Sequence, residues 1–268
     1  MIDKKKFFKT YNNEDAFYQS GLSWNAIAEI EKDYRDKLPK LQLIAAEYVN
    51  KISIIPEVHS VRFRIKDVEH LLEKIIRKAV EYEETGIEFN KDTYMVEITD
   101  VIGIRALYVF KSDYLPLHKS IITNYKRNFC EKPQVKLREG DDKKIYKGLK
   151  NVEFQSDVDY RSIHYTVRHT DADGFMVPVE IQTRSIFEEG WSEINHKLLY
   201  KKSHISAAEE IVLKQASSIL SSLAGDCDTL GDLMKTIAEH EEADSIIDGI
   251  GLSKGSSIIE EIIKHYDE

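Results

Sequence analysis

The sequence VEIQTR at residues 179–184, followed by WSEINH at residues 191–196, predicts a strand that leads into a helix. Glu180 and Gln182 are two residues apart, so they point to the same face of a strand. A carboxylate and an amide on one face of an otherwise apolar strand are costly to bury unless they have a function. Apolar residues then recur at helical spacing from Trp191 onwards. A carboxylate at the end of a sheet strand, backed by a packed helix, is typical of metal-dependent phosphoryl-transfer sites.

Outward from this segment, apolar patterns predict further helices and strands. Helices are predicted over residues 23–51, 67–83, 113–128, 185–201 and 206–223. Strands are predicted over residues 102–110, 134–138, 160–169 and 175–183, with residues 52–64 extended. Pro39 is expected to kink or split the first helix, and Asp67 to cap the second. Because the order is not strictly βαβ, we predict an α+β fold whose mixed sheet has about five strands flanked by helices.

Three segments lack a clean period. Residues 1–20 are polar and are expected to fray, and the tail from Gly225 is expected to alternate helical segments with glycines. Residues 140–159 carry many lysines and few large apolar side chains, which indicates a long polar loop. Such a loop inside a compact domain is usually functional or mobile.

The composition is that of an ordinary soluble protein. The 268 residues are 42% hydrophobic and 32% charged, and no apolar run approaches the roughly 20 residues that a membrane span needs. The N-terminus has charge but no apolar stretch behind it, so we expect no signal peptide and a cytoplasmic location. Cys130 and Cys227 lack metal-ligand spacing and are expected to be reduced and structural.

The net charge of −9 does not favour nonspecific binding to nucleic acid. Positive charge is nevertheless clustered in two groups, Lys143, Lys144, Lys147 and Lys150, and Lys197, Lys201 and Lys202. Local basic patches on an acidic protein suit a compact polyanion such as a nucleoside triphosphate. Each group taken alone is also consistent with a solvated surface.

Two clusters of charged residues precede and open the first buried strand. Lys66 and Lys74, with Arg64 and Arg77 beside them, are spaced to share a helix face and could grip phosphates, although a solvated face explains them equally. Asp100 begins an apolar strand that Arg105 interrupts. Asp100 could bind Mg²⁺, or it could cap the strand while Arg105 forms a structural ion pair.

Two further clusters lie on the later strands. Tyr160, Ser162 and His164 alternate onto one face, where the ring could stack on a base and the histidine could bind a phosphate. An amphipathic strand that shows its polar face to water would look the same. The fourth cluster is Glu180 with the Trp191 helix, where packing alone explains the tryptophan.

In this order, the four clusters resemble the RelA/SpoT nucleotide pyrophosphokinase domain over roughly residues 55–202. Residues 64–74 are similar to its ATP-phosphate segment, and residues 100–105 to its magnesium-aspartate strand. The sequence YRSIH at residues 160–164 is similar to its GYRSLH motif, and EIQTR at residues 180–184 to its EIQxRT strand. The helix that contains Trp191 and Tyr200 follows the family pattern.

The resemblance implies transfer of pyrophosphate from ATP to the 3′-hydroxyl of a guanine nucleotide such as GDP or GTP. On the donor side, Arg64 and Arg105 would sandwich the adenine, while Lys66 and Lys74 would hold the ATP phosphates with Arg77 nearby.

The resemblance also implies the metal and acceptor sites. Asp100 and Glu180 would bind Mg²⁺, and Glu180 would help to deprotonate the attacking hydroxyl with support from Gln182. Tyr160 would stack on the acceptor base, and His164 would contact the acceptor phosphates.

The implied architecture is a nucleotidyltransferase-like synthetase core. We expect an N-terminal helical extension at residues 1–54, the core at residues 55–202 and a C-terminal helical region at residues 203–268. No His-Asp pair occurs, so we expect no hydrolase domain of the kind found in bifunctional relatives. The terminal helices could form a homo-oligomer or cover the active site.

Two substitutions in the family pattern leave the acceptor open. Asp159 stands in place of the glycine before the stacking tyrosine, and Glu189 about where some small relatives have an asparagine that reads guanine. One of the lysines at residues 143–150 would contact substrate. The alternatives are synthesis of ppApp, pyrophosphorylation of the 3′ CCA end of tRNA, and a catalytically inactive module that binds a nucleotide or a partner.

Overall fold

The computed structural model describes residues 1–82, 86–199 and 206–239. Its centre is a mixed sheet of six strands in the order β1-β2-β6-β5-β3-β4. The strands are β1 Ser60–Ile65, β2 Ile102–Tyr108, β3 Gln134–Arg138, β4 Glu153–Asp157, β5 Ser162–Thr170 and β6 Met176–Ser185. The helices are α1 Lys4–Tyr11, α2 Glu14–Gln19, α3 Trp24–Ser53, α4 Val68–Glu81, α5 Tyr94–Glu97, α6 Tyr114–Tyr125, α7 Ile186–Leu199 and α8 Ala207–Glu239. The predicted α+β class with helices flanking a mixed sheet is confirmed.

The strand register divides the sheet into an apolar face and a polar face. Strand β2 runs parallel to β6 and places Gly103 opposite Glu180 and Arg105 opposite Gln182. Strand β5 runs antiparallel on the other side of β6 and places His164 opposite Gln182. Residues that are paired in register share a face, so these polar groups line one surface. The other face is fully buried and contains Ile102, Ile104, Ile163, Tyr165, Val179 and Ile181.

The helices close this apolar face and complete one core. Helices α3, α4 and α6 each contribute buried residues to the same cluster as the sheet. The predicted extension at residues 1–54 therefore packs directly on the core, while its status as a separate domain stays a prediction. Among the described residues, no helix combines the length and the apolar character that would let it cross a bilayer.

The prediction that residues 1–20 fray was wrong. Helices α1 and α2 form there because Phe7, Phe8 and Phe17 are buried and their rings pack against one another and against Trp24. The Lys4 ammonium lies 5.1 Å from the centre of the Phe17 ring. Aromatic burial and the cation–π contact stabilise helices that their polar composition does not predict.

The predicted split of the first long helix at Pro39 and the predicted end of the last one before Gly225 were also wrong, whereas a kink at Pro39 stays a prediction. Helix α3 runs without interruption through Pro39 for 30 residues, and its buried face against the sheet outweighs the backbone hydrogen bond that proline removes. Residues 52 and 53, predicted to be extended, belong to its last turn. Helix α8 continues past Gly225 to Glu239. A Cβ at Gly225 would lie 3.3 Å from the Arg161 guanidinium, so the glycine at this position lets Arg161 pack closely against the helix. The predicted tail at residues 240–268 lies outside the described residues.

The predicted loop at residues 140–159 contains a short 3₁₀ turn at Lys143–Tyr146 and strand β4. With β4 the sheet has six strands, where about five were predicted. Strand β4 pairs in parallel with the edge of β3, from Gln134 opposite Glu153 to Arg138 opposite Asp157. Its sequence EFQSD has no apolar alternation, so only the exposed edge of β3 selects the extended conformation. The predicted loop was therefore wrong at residues 153–157.

His118 makes the stability of the fold depend on pH. Its ring is 5% exposed on α6, and Nδ1 lies 3.1 Å from the Tyr165 hydroxyl. Burial lowers the pKa of His118 from 6.5 to about 4. Between these values the unfolded chain binds a proton that the folded chain does not, so the free energy of unfolding falls as pH falls. We expect this residue to contribute a loss on the order of 2 kcal/mol from pH 6.5 to 4.

Chemical denaturation of the wild type and of His118→Asn at several pH values checks this contribution. The asparagine can still accept from the Tyr165 hydroxyl but does not titrate, so its stability is expected to vary less steeply with pH. Parallel curves for the two proteins would show that His118 is not the group responsible.

Candidate active site

Asp100, just before β2, is held by two lysines from different elements. Lys66 Nζ lies 2.7 Å from Oδ2 and Lys74 Nζ lies 2.9 Å from Oδ1. Lys66 follows β1, whereas Lys74 is on α4, whose N-terminus is capped by the Asp67 carboxylate. Burial alone would raise the pKa of Asp100, but the two ammonium groups outweigh burial and lower it. Burial in turn lowers the pKa of Lys66. The predicted sharing of a helix face by Lys66 and Lys74 was wrong, because α4 begins at Val68 and Lys66 precedes it. The two lysines meet on the Asp100 carboxylate instead.

Glu180 lies on the polar face of β6 between a histidine and an amide. His164 Nδ1 is 3.1 Å from Oε1, and Gln182 Nε2 donates to Oε2 at 2.7 Å. Burial favours the neutral acid, yet the contacts with His164 and Gln182 outweigh it and lower the pKa of Glu180. The charge of Asp100 acts in the opposite direction, so the two carboxylates interact electrostatically. At neutral pH both carboxylates are ionised.

A cavity of about 350 Å³ opens beside these carboxylates on the polar face. It is lined by Arg62, Phe63, Arg64, Gly103, Arg105, Gln182, Glu193, His196 and Lys197. A Cβ at Gly103 would lie 3.4 Å from the Arg64 side chain, so the glycine lets Arg64 lie close over β2. The structure therefore brings together Arg64 and Arg105, which the family resemblance assigns to one base.

Arg77 is not brought to this cluster. It lies on the exposed side of α4, where its Nη1 is 2.8 Å from Glu81 Oε1 and its Nε 3.8 Å from Glu73 Oε1. Lys74 and Arg77 are three positions apart on α4, and in the structure Lys74 turns to Asp100 while Arg77 turns to the two glutamates. A phosphate contact by Arg77 stays a prediction that requires the side chain to move.

Tyr160 and His164 meet at the edge of the same face. The Tyr160 hydroxyl is 3.1 Å from His164 Nε2, and burial raises the pKa of Tyr160. Its ring centre is 6.2 Å from that of Trp191, whose Nε1 donates to the Ser217 carbonyl of α8 at 2.9 Å. Tyr160 lies just before β5, not within it as predicted, and α7 and α8 back it.

Glu189 on α7 is 4% exposed and is surrounded by guanidinium groups. Its Oε1 is contacted by Arg62 and lies 3.1 Å from Arg105 Nη1, and its Oε2 lies 3.3 Å from Arg184 Nη1. In this arrangement the carboxylate pairs with arginines, and the contact with an acceptor base inferred from the resemblance stays a prediction.

Asp100 and Glu180 are also the residues that could hold a metal ion. No group of three or more histidine, cysteine, aspartate or glutamate side chains forms a metal site within the described ranges. Mg²⁺, however, typically uses one or two carboxylates together with phosphate oxygens and water. Asp100 Oδ1 is enclosed and accepts no hydrogen bond of good geometry, although Lys74 Nζ is nearby. An enclosed carboxylate oxygen whose one close partner is the Lys74 ammonium, and which interacts with a second carboxylate, fits Mg²⁺, provided that Lys66 and Lys74 turn towards phosphates.

Sequence reasoning missed Arg184 and Lys136 on the polar face. Arg184 was visible as the arginine of the EIQTR motif, at the same alternation as Glu180 and Gln182. Lys136 lies on β3 opposite Ser162 and donates to the Gln155 amide oxygen. The four lysines at residues 143–150 are exposed, and Lys143 lies 5.3 Å from the Phe154 ring centre. Tyr200, Lys201 and Lys202 lie outside the described residues.

Comparison with known proteins identifies the family and agrees with this fold. The sequence pattern described as "Region found in RelA / SpoT proteins" matches residues 63–205, just over half of the chain. The protein therefore belongs to the RelA/SpoT family. A relative named GTP pyrophosphokinase YwaC, from Bacillus subtilis (strain 168), is 25% identical over 205 residues, which cover 75% of this chain and 80% of the relative.

Solved structures show the same fold. Small alarmone synthetase 1 from Bacillus subtilis is 23% identical, with a TM-score of 0.52 over 77% of this chain and 97% of its own. Its complex with the product pppGpp is 19% identical, with a TM-score of 0.53 over 78% and 100%. Its complex with AMPCPP is 20% identical, with a TM-score of 0.51 over 78% and 100%.

Proposed function

We propose that the protein is a pyrophosphokinase that transfers pyrophosphate from ATP to the 3′-hydroxyl of GDP or GTP and makes (p)ppGpp. The observation that carries this proposal is the pair of partly buried carboxylates, Asp100 in the turn before β2 and Glu180 on β6, which interact electrostatically beside a cavity lined by arginines. Membership of the RelA/SpoT family supports it, as does the relative named GTP pyrophosphokinase. The structures named as complexes with pppGpp and AMPCPP add the two expected nucleotide types.

The donor nucleotide would occupy the cavity beside β1 and β2. Arg64 and Arg105 line it and can stack on the adenine ring from two sides. Lys66 and Lys74, which contact Asp100 in the structure, would exchange this carboxylate for the ATP phosphates. The two lysines lose their ion pairs with Asp100 in this exchange, and the larger negative charge of the triphosphate offsets that loss.

Asp100 and Glu180 would hold Mg²⁺. When bound, this ion supplies charge neutralisation for the phosphate oxygens and orients the triphosphate. The residues of the chain then have a simpler task, which is to place the two nucleotides in line and to accept one proton.

The acceptor would bind on the β5 side, with its base on Tyr160 and its phosphates near His164. Its 3′-oxygen attacks the β-phosphorus of ATP, the bond from that phosphorus to the α-phosphate oxygen breaks, and AMP leaves. The proton of the hydroxyl passes to Glu180. Because the pKa of Glu180 is lowered, it is a weak base, so it accepts the proton late, as the new bond makes the hydroxyl acidic. Gln182 and His164 keep the carboxylate aimed at this proton.

Transfer of label tests the proposal. The purified protein is incubated with ATP labelled in its terminal phosphates, Mg²⁺ and one acceptor at a time: GDP, GTP, AMP or bulk tRNA. Label on GDP or GTP is the expected result. Label only on AMP or only on tRNA would replace it with one of the alternatives from the sequence. The absence of transfer to every acceptor, in a protein that still binds AMPCPP, would indicate a binding module.

A further inference from the structure

Arg184 is a buried cation at the centre of the polar face that none of the roles above uses. It is 1% exposed and is one residue from the end of β6, on the same face as Glu180 and Gln182. Burying a guanidinium group is costly unless several partners satisfy it. Its partners therefore indicate what the chain gains from keeping it there.

On the acceptor side, Arg184 fixes the orientation of the Gln182 amide. Its Nη2 donates to Gln182 Oε1 at 2.7 Å, and Gln182 Nε2 donates to Glu180 Oε2 at 2.7 Å. A guanidinium can only donate, so the amide oxygen must face Arg184 and the amide nitrogen must face Glu180. Without Arg184 the amide can turn over and present its oxygen to the carboxylate, which repels it.

Arg184 also holds the residue expected to carry the acceptor base. Nη2 donates to the Tyr160 hydroxyl, and the guanidinium carbon lies 4.9 Å from the centre of the Tyr160 ring. The charge thus lies against one face of the ring and restrains it.

On the donor side, Arg184 is connected to the base cavity through one carboxylate. Glu189 Oε2 lies 3.3 Å from Arg184 Nη1, while its Oε1 contacts Arg62 and Arg105. Arg105 lines the cavity. A base stacked on Arg105 would act on the Arg105–Glu189 pair, and Glu189 forms ion pairs with both Arg105 and Arg184.

We infer that Arg184 is a positioning residue that couples the donor and acceptor sites. This inference rests on the proposed function, because the donor site is that of ATP and the acceptor site is that of the guanine nucleotide. The coupling is reciprocal, so each nucleotide strengthens the binding of the other by the same factor. A coupling of 1–3 kcal/mol, typical of linked sites, corresponds to about 5- to 150-fold in affinity.

Calorimetric titration of the full chain measures this factor. The probe is AMPCPP, whose methylene bridge between the α- and β-phosphorus atoms blocks transfer. It is titrated into the protein in a buffer that contains Mg²⁺, with and without saturating GDP. In the wild type, GDP is expected to tighten AMPCPP by at least about fivefold. In Arg184→Met the factor is expected to fall to near one. A wild type without coupling, or an Arg184→Met variant that retains it, would overturn the inference.

Kinetics separate positioning from binding. Arg184→Met is expected to lower kcat by about 10- to 100-fold, the usual effect of losing the support of a metal-binding carboxylate, with smaller changes in both KM values. Arg184→Lys keeps the charge but lacks the planar fork whose two terminal nitrogens reach Gln182 and Glu189 separately. We therefore expect kcat to recover in part while coupling stays lost. A larger change in KM than in kcat would contradict positioning.

Arg161→Met is the matched control for loss of a buried arginine. Arg161 pairs with Asp141 and with the Ser221 carbonyl of α8, and it has no contact with Glu180 or Glu189. Its coupling factor is expected to stay that of the wild type, and an equal loss of coupling would point to a general effect on the fold. If Arg184→Met does not fold, Glu189→Gln weakens the same bridge from α7 and is expected to reduce the coupling.

The two proposals fail in different ways. A wild type that transfers no label but shows coupled binding would remove the proposed function and leave the coupling intact. A wild type that transfers label, together with an Arg184→Met variant that keeps its coupling factor, would remove only the role of Arg184.

Discussion

Glu180→Gln is expected to lower the rate of pyrophosphate transfer by about 10²- to 10⁴-fold, the usual contribution of a positioned general base. The amide has nearly the same shape as the carboxylate, so the strand and its neighbours can remain in place. It cannot accept a proton from the acceptor hydroxyl, however, and it is a poorer metal ligand. The measurement is the initial rate with labelled ATP and GDP, together with the affinity for AMPCPP.

Glu153→Gln is the matched control. Glu153 is on the edge strand β4, is largely exposed and is 3.7 Å from Lys132. Its register places it on the polar face, but strands β5 and β3 separate β4 from the strand that carries Glu180. Its rate is expected to equal that of the wild type. A Glu180→Gln protein with wild-type activity would refute the role given to Glu180 and would shift attention to Asp100 as the essential carboxylate.

Asp100→Asn is expected to lower both activity and stability. Activity falls by about 10²-fold or more, because the lost carboxylate is half of the proposed metal site. Stability falls because Lys66 and Lys74 are left close together without a counter-charge. For partly buried groups we expect a loss of about 1–3 kcal/mol in the free energy of unfolding at neutral pH. Urea denaturation and the label-transfer assay measure the two effects separately.

The stability difference between wild type and Asp100→Asn should depend on pH in a defined direction. In the folded protein the pKa of Asp100 is below its ordinary value. The ionised form therefore contributes stability that is fully present above the ordinary value of about 4 and is lost as pH falls through the folded pKa. The two proteins should converge in stability at strongly acidic pH. Asp92→Asn, at an exposed turn position, is the control and is expected to leave stability and activity unchanged.

The elements with strong periodicity could be predicted from the sequence. Strand β3 was predicted at residues 134–138 and is observed at those residues, and β2 and α4 differ only at their ends. In β3 and α4 the apolar residues recur at the period of the element, and in β2 they form one nearly continuous buried run. By contrast, β4 has no such pattern, and α1 and α2 depend on aromatic contacts with α3. In these elements a distant partner selects the conformation, so local sequence could not predict it.

The candidate site was predictable in its members and not in its connections. Glu180 with Gln182 and Tyr160 with His164 were paired by alternation along single segments, and the structure shows contact within each pair. The joint hold of Lys66 and Lys74 on Asp100 unites three elements, and no spacing in the sequence predicts it. Sequence spacing likewise does not predict that Arg77 points outwards to Glu81 or that Glu189 is buried among arginines, because both depend on how the folded elements pack.

The sequence by itself determined the family, the fold class and the set of polar residues on the strands, because motif order and strand alternation are local properties. Only the tertiary structure decided which of these residues touch. Register between β2, β6 and β5 sets Arg105, Gln182 and His164 in one row, and α7 then carries Glu189 over it. Buried charges must find partners wherever the fold brings them, so the ion pairs follow from packing in three dimensions. For that reason VEIQTR indicated Glu180 as a site residue, whereas the link between the two nucleotide sites through Arg184 became visible only in the folded chain.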